Sequence, residues 1–205
     1  MADLRRGDVV VATGNAHKLA EIEEILGRVM PGRRFVGLRE LGDWPDPEED
    51  GETFLDNALI KARAAIERCG CELAVADDSG LMVDALDGAP GVLSARFAGS
   101  HGDDEANNAR LLAELEGVPA ASRGARFCSC VVLARADGSY LEGTGFCEGS
   151  VGLAPRGDNG FGYDPLFWPD DTPGRTMAEL SPEEKNAISH RFHALAALAG
   201  QLADS

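Results

Sequence analysis

The chain has 205 residues, of which 44% are hydrophobic and 26% charged, and its formal net charge is −16. This size and composition predict a globular protein of one large domain or two small lobes. The acidic balance argues against nucleic acid as a partner, because binding a polyanion requires clustered Lys and Arg. No apolar run is long enough to span a bilayer and residues 1–8 lack a signal-peptide core, so we expect no membrane partner and a cytoplasmic location.

The first predicted element is a strand at 9–12, followed by a turn at 13–18 and an amphipathic helix. Such a turn presents backbone N–H groups and the positive end of a helix dipole, and Lys18 adds a cation, so it suits a phosphate group. It matches neither G-x-x-x-x-G-K-[ST] nor G-x-G-x-x-G. A helix cap formed by Thr13 or Asn15 is a common alternative for the same residues.

Residues 34–38 predict a second strand, and a proline-broken acidic loop follows at 43–51. Taken alone, this loop is most simply solvated surface. If a metal lies near Asp78, however, Glu48 or Glu49 supplies a second carboxylate.

A helix is predicted after the acidic loop. Thr53 and Asp56 resemble the capping box that opens a helix. Apolar residues recur along one face of this helix, and Lys61 lies elsewhere on it.

A short apolar run at 73–76 predicts a buried strand, and Asp77, Asp78 and Ser79 follow it. Strands of α/β sheets present chemistry at their C-terminal ends, so we expect both carboxylates at the rim of a crevice. Adjacent strand residues point to opposite faces, so at most one of them faces a given ligand unless Gly80 marks a bend. Mg²⁺ favours one or two carboxylates plus substrate phosphates. An acidic turn that only ends a strand is the simpler alternative.

The second half of the chain is richer in strands. A glycine-punctuated segment at 87–99 is either a functional loop or an ordinary connector. A helix is predicted at 103–116 and a strand at 126–134. The Asp-Gly pair at 137–138 predicts a hairpin turn and 140–152 the returning strand. An α/β half followed by a β-rich half suggests a mixed sheet with two lobes and a cleft between them.

A second glycine-rich loop spans 156–165 and carries two aromatic residues. Phe161 and Tyr163 beside flexible backbone are able to stack on a base, and Asp164 is able to accept from ring N–H groups. The alternative is a turn whose aromatic side chains fold back into the core.

The last predicted helix begins at Ser181 and runs into an alanine- and leucine-rich end. Lys185 and Ser189 are spaced i and i+4, so we expect them on one face. His190 and Arg191 add hydrogen-bond donors for carbonyl oxygens or phosphates, although a lone His is more often structural.

Five cysteines include two C-x-C pairs, at 69–71 and 128–130. This is not the C-x-x-C spacing typical of zinc sites. We predict reduced thiols that serve as packing residues.

Six motifs occur in order along nearly the whole chain. Each alone is unspecific, but the ordered set resembles the HAM1 / inosine triphosphate pyrophosphatase family, the non-canonical purine NTP pyrophosphatases. The motifs are TGNAHK at 13–18, TFLDNALIKAR at 53–63, DDSGL at 77–81, GAPGVLSAR at 88–96, GFGYDP at 160–165 and KNAISHR at 185–191.

The resemblance implies one two-lobed domain over 1–205, with an α/β fold, an elongated mixed β-sheet flanked by helices, and a central active-site cleft. It implies hydrolysis of ITP, dITP and XTP to the monophosphate and pyrophosphate, with one or more Mg²⁺ per subunit, in a homodimer. It assigns catalysis to Asp78, Lys18 and Lys61, and metal binding to Asp78 and Glu49, with Glu48 the neighbour that is easily confused with it. It assigns substrate contacts to Thr13, Gly14, Asn15, Ala16, His17, Lys18, Ser79, Phe161, Gly162, Tyr163, Asp164, Lys185, His190 and Arg191.

The chemistry implied by the resemblance is consistent with these residue types. Mg²⁺ on Asp78 and Glu49 would neutralise phosphate charge and position a water, which Asp78 orients or deprotonates. Lys18 and Lys61 would stabilise the departing pyrophosphate. The sequence does not decide between Mg²⁺ and Mn²⁺.

For the base, Phe161 would stack, and donors from His190 and Arg191 would suit the 6-oxo group of hypoxanthine or xanthine. Adenine has an amino group there and would leave those donors unpaired. Guanine also carries a 6-oxo group, so its rejection must depend on the 2-position.

Three other functions compete with this one. A Maf-type pyrophosphatase for pyrimidine or canonical triphosphates is disfavoured by the 161–164 loop and by Ser189, His190 and Arg191. A nucleotide sensor that binds without cleaving is disfavoured by the intact acidic and basic residues. A scaffold protein leaves the glycine-rich loops unexplained.

Overall fold

The computed structural model describes residues 4–204, apart from the side chains of Ala16 and His17. The helices and strands are β1 Val9–Val11, α1 Ala16–Val29, β2 Phe35–Gly37, α2 Leu38–Leu41, α3 Phe54–Cys69, β3 Leu73–Val83, α4 Asp104–Glu114, β4 Gly124–Arg135, β5 Tyr140–Val151, β6 Phe167–Pro169, α5 Pro182–Ile188 and α6 His190–Ala203. Within residues 4–204, no helix has the length and apolar character needed to cross a membrane.

The strands form one mixed sheet in the order β2-β1-β3-β4-β5-β6. β1 pairs in parallel with β2 and β3, so that Val10 lies beside Val36 and Ala74. β5 and β6 pair antiparallel. β4 and β5 are joined by a tight turn in which Gly138 has a φ of 91° and donates its N–H to the carbonyl of Arg135. The predicted mixed α/β fold, including the hairpin, is confirmed.

The chain divides into two compact units. Unit 1 comprises Met1–Asp78, Ser129–Gly145 and Phe192–Ser205, and unit 2 comprises Ser79–Cys128 and Phe146–Arg191. The boundaries fall inside β3, β4, β5 and α6, so each of these elements contributes residues to both units.

Unit 1 has a core on each face of its strands. Consecutive strand residues point to opposite faces. Ala74 and Ala76 of β3 accordingly pack in a cluster with α3, whereas Leu73 and Val75 pack in a cluster with α1 and α6. This alternation continues into the two aspartates that follow.

Unit 2 has one core, to which α4, the strands and the 156–165 loop contribute. Leu111 of α4 is fully buried there, and Tyr163 packs in the same cluster. The rings of Phe127 and Phe167 meet edge to face with centroids 4.6 Å apart.

Strand β3 is longer than the sequence predicts. The apolar run predicted a strand that ends at Ala76, but β3 continues to Val83 and contains both aspartates. The prediction that Asp77 and Asp78 lie at the end of the strand is therefore wrong. Buried carboxylates inside a strand are tolerated because each is paired with a lysine.

The last predicted helix is two helices. Its start is confirmed, because Ser181 caps α5 and accepts a hydrogen bond from the N–H of Glu184. Ser189, however, is extended, with φ −71° and ψ 146°, and separates α5 from α6. The prediction that Lys185 and Ser189 share a face of one continuous helix is wrong. No Gly or Pro marks this break, and a buried serine hydroxyl competes for the backbone groups of a helix.

The cysteines are free thiols, as predicted, and four of them are buried in the two units. Burial raises the pKa of Cys71 and Cys130 to about 11 and that of Cys147 to about 12. These thiols stay protonated at neutral pH and act as small apolar side chains.

Candidate active site

Asp77 and Asp78 are adjacent in β3 and point to opposite faces of it. The Asp77 carboxylate accepts hydrogen bonds from Lys18 Nζ of α1, at 3.1 and 2.9 Å. Asp78 Oδ1 accepts from Lys61 Nζ of α3, at 2.7 Å. Each aspartate thus pairs with the helix that covers its own face. The prediction that at most one of them faces a given ligand agrees with this geometry.

A second carboxylate reaches Lys61 from the acidic loop. Glu49 Oε2 lies 3.3 Å from Lys61 Nζ, whereas the neighbouring Glu48 is exposed. Asn57 completes the group, because its Nδ2 donates to Asp78 Oδ2 (3.3 Å) and its Oδ1 accepts from the N–H of Gly51 (2.9 Å). We call Glu49, Asn57, Lys61 and Asp78 the acidic cluster.

Burial and neighbouring charges of opposite sign shift the pKa values of the acidic cluster in opposite directions. Burial raises the pKa of the Asp78 carboxyl, and Glu49 raises it further, while Lys61 and the amide of Asn57 oppose the rise. Burial also disfavours the charged form of Lys61, but Asp78, Asp77 and Glu49 outweigh it and raise the pKa of this ammonium above its ordinary value. Lys61 is therefore protonated at neutral pH, and the surrounding carboxylates favour a further cation.

The loop at 13–18 has the hydrogen bonds of a helix cap. Thr13 Oγ1 accepts from the N–H of Asn15 (3.1 Å), and Asn15 Oδ1 accepts from the N–H of Lys18 (3.4 Å). A Cβ on Gly14 would meet the guanidinium of Arg39, an exposed side chain that is able to move aside. The side chains of Ala16 and His17 are outside the described part of the chain, and phosphate binding by this loop stays a prediction.

Unit 2 holds a second group of predicted site residues on the 156–165 loop. Phe161 is 59% exposed, and Lys185 Nζ lies 4.5 Å from the centroid of its ring. Asp164 is buried, pairs with Lys185, and accepts from the N–H of Phe161 (2.9 Å). A side chain on Gly160 would collide with the Asp164 carboxylate. Burial raises the pKa of Asp164, and Lys185 opposes the rise.

The side chain of Tyr163 folds back into the core, which is the alternative to base stacking that the sequence left open. Its ring is buried in the core of unit 2, and its hydroxyl donates to the carbonyl of Ser94 (2.9 Å). Burial raises its pKa well above the ordinary value. Its side chain therefore anchors the loop, and of the two aromatic residues only Phe161 presents an open ring.

The remaining predicted residues lie near the start of α6 and in β3. The ring of His190 is stacked on that of Phe127, with centroids 5.0 Å apart, and Arg191 is buried. Ser79 is half-buried directly after Asp78 in β3. The structure brings Glu49, Lys61 and Asp78 together in unit 1 and pairs Lys18 with Asp77 on the opposite face of β3. It brings Phe161, Asp164 and Lys185 together in unit 2.

A family model described as the Ham1 family matches residues 9–201. The chain belongs to this family.

Related proteins are similar over nearly the whole length. The chain is 48% identical over 199 residues to a dITP/XTP pyrophosphatase of Corynebacterium glutamicum, an alignment that covers 95% of this chain and 96% of the relative. It is 51% identical over 187 residues to a protein of the same name from Desulforamulus reducens, with 91% of each chain covered. A HAM1 protein structure from Coxiella burnetii superposes with a TM-score of 0.87 at 42% identity, covering 97% of this chain and 99% of that one.

Two residues of this Ham1-family chain were not assigned to the site from sequence. Asn57 is fully buried and joins the Asp78 carboxylate to the acidic loop. Asp77 is buried and holds Lys18. A signal for Asn57 existed, since it precedes Lys61 by four residues on one helix and shares its face. Nothing in the sequence indicated that Lys18 pairs with Asp77.

Proposed function

We propose that this Ham1-family chain is a dITP/XTP pyrophosphatase that hydrolyses ITP, dITP and XTP to the nucleoside monophosphate and pyrophosphate. The observation that carries the proposal is the acidic cluster, in which Asp78 and Glu49 reach one half-buried lysine from two separate segments. Relatives about half identical to the chain carry the name dITP/XTP pyrophosphatase. The reaction class follows from a cluster that combines carboxylates with lysine in a family of nucleotide pyrophosphatases.

We further propose that the enzyme depends on Mg²⁺, held by Asp78 and Glu49. Within residues 4–204, no group of three or more His, Cys, Asp and Glu side chains is arranged to hold a metal. Two carboxylates fit Mg²⁺, which usually binds one or two of them together with waters and substrate phosphates. When bound, the ion would neutralise phosphate charge and lower the pKa of a coordinated water.

The residues of unit 1 would act on the triphosphate and on the attacking water. Asp78 accepts a hydrogen bond from the water and takes its proton as the water oxygen bonds to phosphorus. The bond to the bridging oxygen breaks, and pyrophosphate leaves. Lys61 and Lys18 would donate hydrogen bonds that offset the charge on the departing oxygens. Asn57 fixes the Asp78 carboxylate by its hydrogen bond.

The residues of unit 2 would recognise the base. Phe161 stacks on the purine through its open ring face, since Lys185 occupies the other face. Donors of His190 and Arg191 pair with the 6-oxo group of hypoxanthine or xanthine. Adenine presents an amino group at this position, and the resulting unpaired donors disfavour it.

We also propose a homodimer in the cytoplasm. Large apolar side chains are exposed on the hairpin strand β5 and on α6, namely Tyr140, Phe146 and Phe192, each 40–44% exposed. Exposed apolar residues on neighbouring elements favour association.

The test is pyrophosphate release from ITP, XTP, GTP and ATP, each with Mg²⁺ and with a chelator. We expect metal-dependent release that favours ITP and XTP. Equal rates on all four would retain the acidic cluster but reject the base-recognition roles of Phe161, His190 and Arg191. In a second panel of UTP, TTP and modified pyrimidine triphosphates, a preference for any of these over ITP would indicate a Maf-type activity. Tight ITP binding without release in Mg²⁺ would indicate a sensor.

A further inference from the structure

Two side chains of α4 hold the loop that carries Phe161. Asp104 Oδ2 accepts a hydrogen bond from the N–H of Gly162 at 2.7 Å. Asn108 Nδ2 donates to the carbonyl of Gly162 at 2.8 Å and to the carbonyl of Asp104 at 2.9 Å. Both backbone polar groups of Gly162 are therefore bound by one helix.

The spacing of the two α4 residues explains how they act together. Residues i and i+4 share one face of a helix, so Asp104 and Asn108 present an acceptor and a donor side by side. Gly162 has a φ of 60°, in the left-handed region that favours glycine. This conformation aims its N–H and C=O at the matching groups of α4.

The loop is also fixed on either side of Gly162, although Phe161 is exposed. The N–H of Phe161 donates to Asp164, and the Tyr163 hydroxyl donates to the carbonyl of Ser94. An exposed aromatic ring on an immobilised backbone is pre-organised, because less loop entropy is lost when a ligand stacks on it.

We infer that Asp104 and Asn108 are positioning residues for base recognition, which hold the Gly162 backbone and thereby fix the ring of Phe161. They act through the Gly162 backbone of the loop. The inference rests on the proposed function, because it assigns to Phe161 the role of stacking on the purine. It adds two specificity determinants from a helix that lies outside the motifs of the family resemblance.

The experiment compares Asp104→Ala with Asp104→Asn and Glu105→Ala, and adds Asn108→Ala. The Asp104→Asn substitution keeps an acceptor for the Gly162 N–H but removes the negative charge. Glu105 is exposed in the same helical turn, so Glu105→Ala removes the same charge without a bond to this loop. The rate of amide hydrogen exchange at residues 160–164 measures how firmly α4 fixes the loop. Steady-state pyrophosphate release gives KM and kcat for dITP and so measures the effect on base recognition.

We expect Asp104→Ala and Asn108→Ala to speed exchange at 160–164 and to raise KM for dITP about tenfold, with kcat within about twofold, because each change leaves one backbone group of Gly162 without its partner. Asp104→Asn and Glu105→Ala should stay within about twofold of the wild type in both readouts. Unchanged exchange in Asp104→Ala would overturn the inference. So would faster exchange with an unchanged KM, or equal effects of Asp104→Ala and Glu105→Ala. If the wild type releases no pyrophosphate from dITP or XTP, the proposed function fails, and the exchange data still decide whether α4 holds the loop.

Discussion

The two units stabilise their buried polar groups in different ways. In unit 1, three buried aspartates, Asp8, Asp77 and Asp78, pair with basic side chains. In unit 2, most buried polar side chains bind backbone instead. Arg123, for example, donates to the carbonyls of Leu115, Val118 and Gly152.

The difference has a functional consequence. Buried ion pairs hold charged side chains at fixed positions, because breaking such a pair leaves an uncompensated charge. Side chain–backbone bonds hold a loop in one conformation, and they suit recognition of a rigid, uncharged base. Under the proposed function, unit 1 would act on the triphosphate and unit 2 would read the purine.

Asp78→Asn should have the largest effect on activity. The substitution keeps the size of the side chain and removes its ability to take a proton, so we expect pyrophosphate release to fall by at least about 100-fold. The melting temperature should change little, because Lys61 keeps Glu49 as a partner. Asp46 is exposed, so Asp46→Asn is the control for the loss of a negative charge. Retained activity in Asp78→Asn would exclude its catalytic role.

Lys61→Met should have the largest effect on stability. It leaves the buried Asp78 and the half-buried Glu49 without a cation, and we expect the free energy of unfolding to fall by about 3 kcal/mol. Millimolar Mg²⁺ should raise the melting temperature of this variant more than that of the wild type, because the ion binds the native acidic cluster. Arg63→Met, an exposed change on the same helix, is the control. Equal stability of the two variants would contradict the role of ion pairs in unit 1.

Phe161→Ala and Tyr163→Phe separate the two aromatic residues of the unit 2 loop. Phe161→Ala should lower kcat/KM for dITP about tenfold through lost stacking, with little effect on stability. Tyr163→Phe should lower the free energy of unfolding by about 1 kcal/mol, since the carbonyl of Ser94 loses its donor. Its kcat/KM should stay within about twofold. The reverse pattern would show that Tyr163, and not Phe161, meets the base.

The smallest effect concerns Asp8, which caps the N–H of Arg5 and pairs with Arg34. The hydrogen bond from Arg34 holds the pKa of the Asp8 carboxyl below its ordinary value, against the effect of burial. The stabilisation is therefore complete above the unfolded pKa of about 3.9 and is lost as the pH falls through the lower folded pKa. Denaturant unfolding of wild type and Asp8→Asn at pH 7 and at pH 3 measures it. We expect the difference between the two proteins to shrink at pH 3, and a constant difference would reject this linkage.

Local patterns predicted most of the elements, because the deciding interactions lie close in the sequence. The capping box of Thr53 and Asp56 opens α3 as expected, and the Asp137–Gly138 turn joins β4 to β5. The length of β3 was predicted wrongly because the partners of Asp77 and Asp78, Lys18 and Lys61, lie far away in the sequence. The break at Ser189 was missed because no Gly or Pro marks it.

The acidic cluster was predicted in part. The family resemblance assigned Asp78, Lys61 and Glu49 to one site, and the structure brings the three together, but the bond from Asn57 to Asp78 was not predicted. Likewise, the glycine-rich loop was recognised around Phe161, while its attachment to α4 depends on residues more than 50 positions away.

The sequence by itself therefore determined the element types, the mixed α/β class and the residue types of the site, since period, capping and motif order are properties of neighbouring residues. Only the tertiary structure decided which lysine pairs with which aspartate, that Tyr163 is buried while Phe161 is exposed, and that Asp104 and Asn108 hold Gly162. The physical reason is that these outcomes depend on distances between residues far apart in the chain, which the packing of helices against strands fixes.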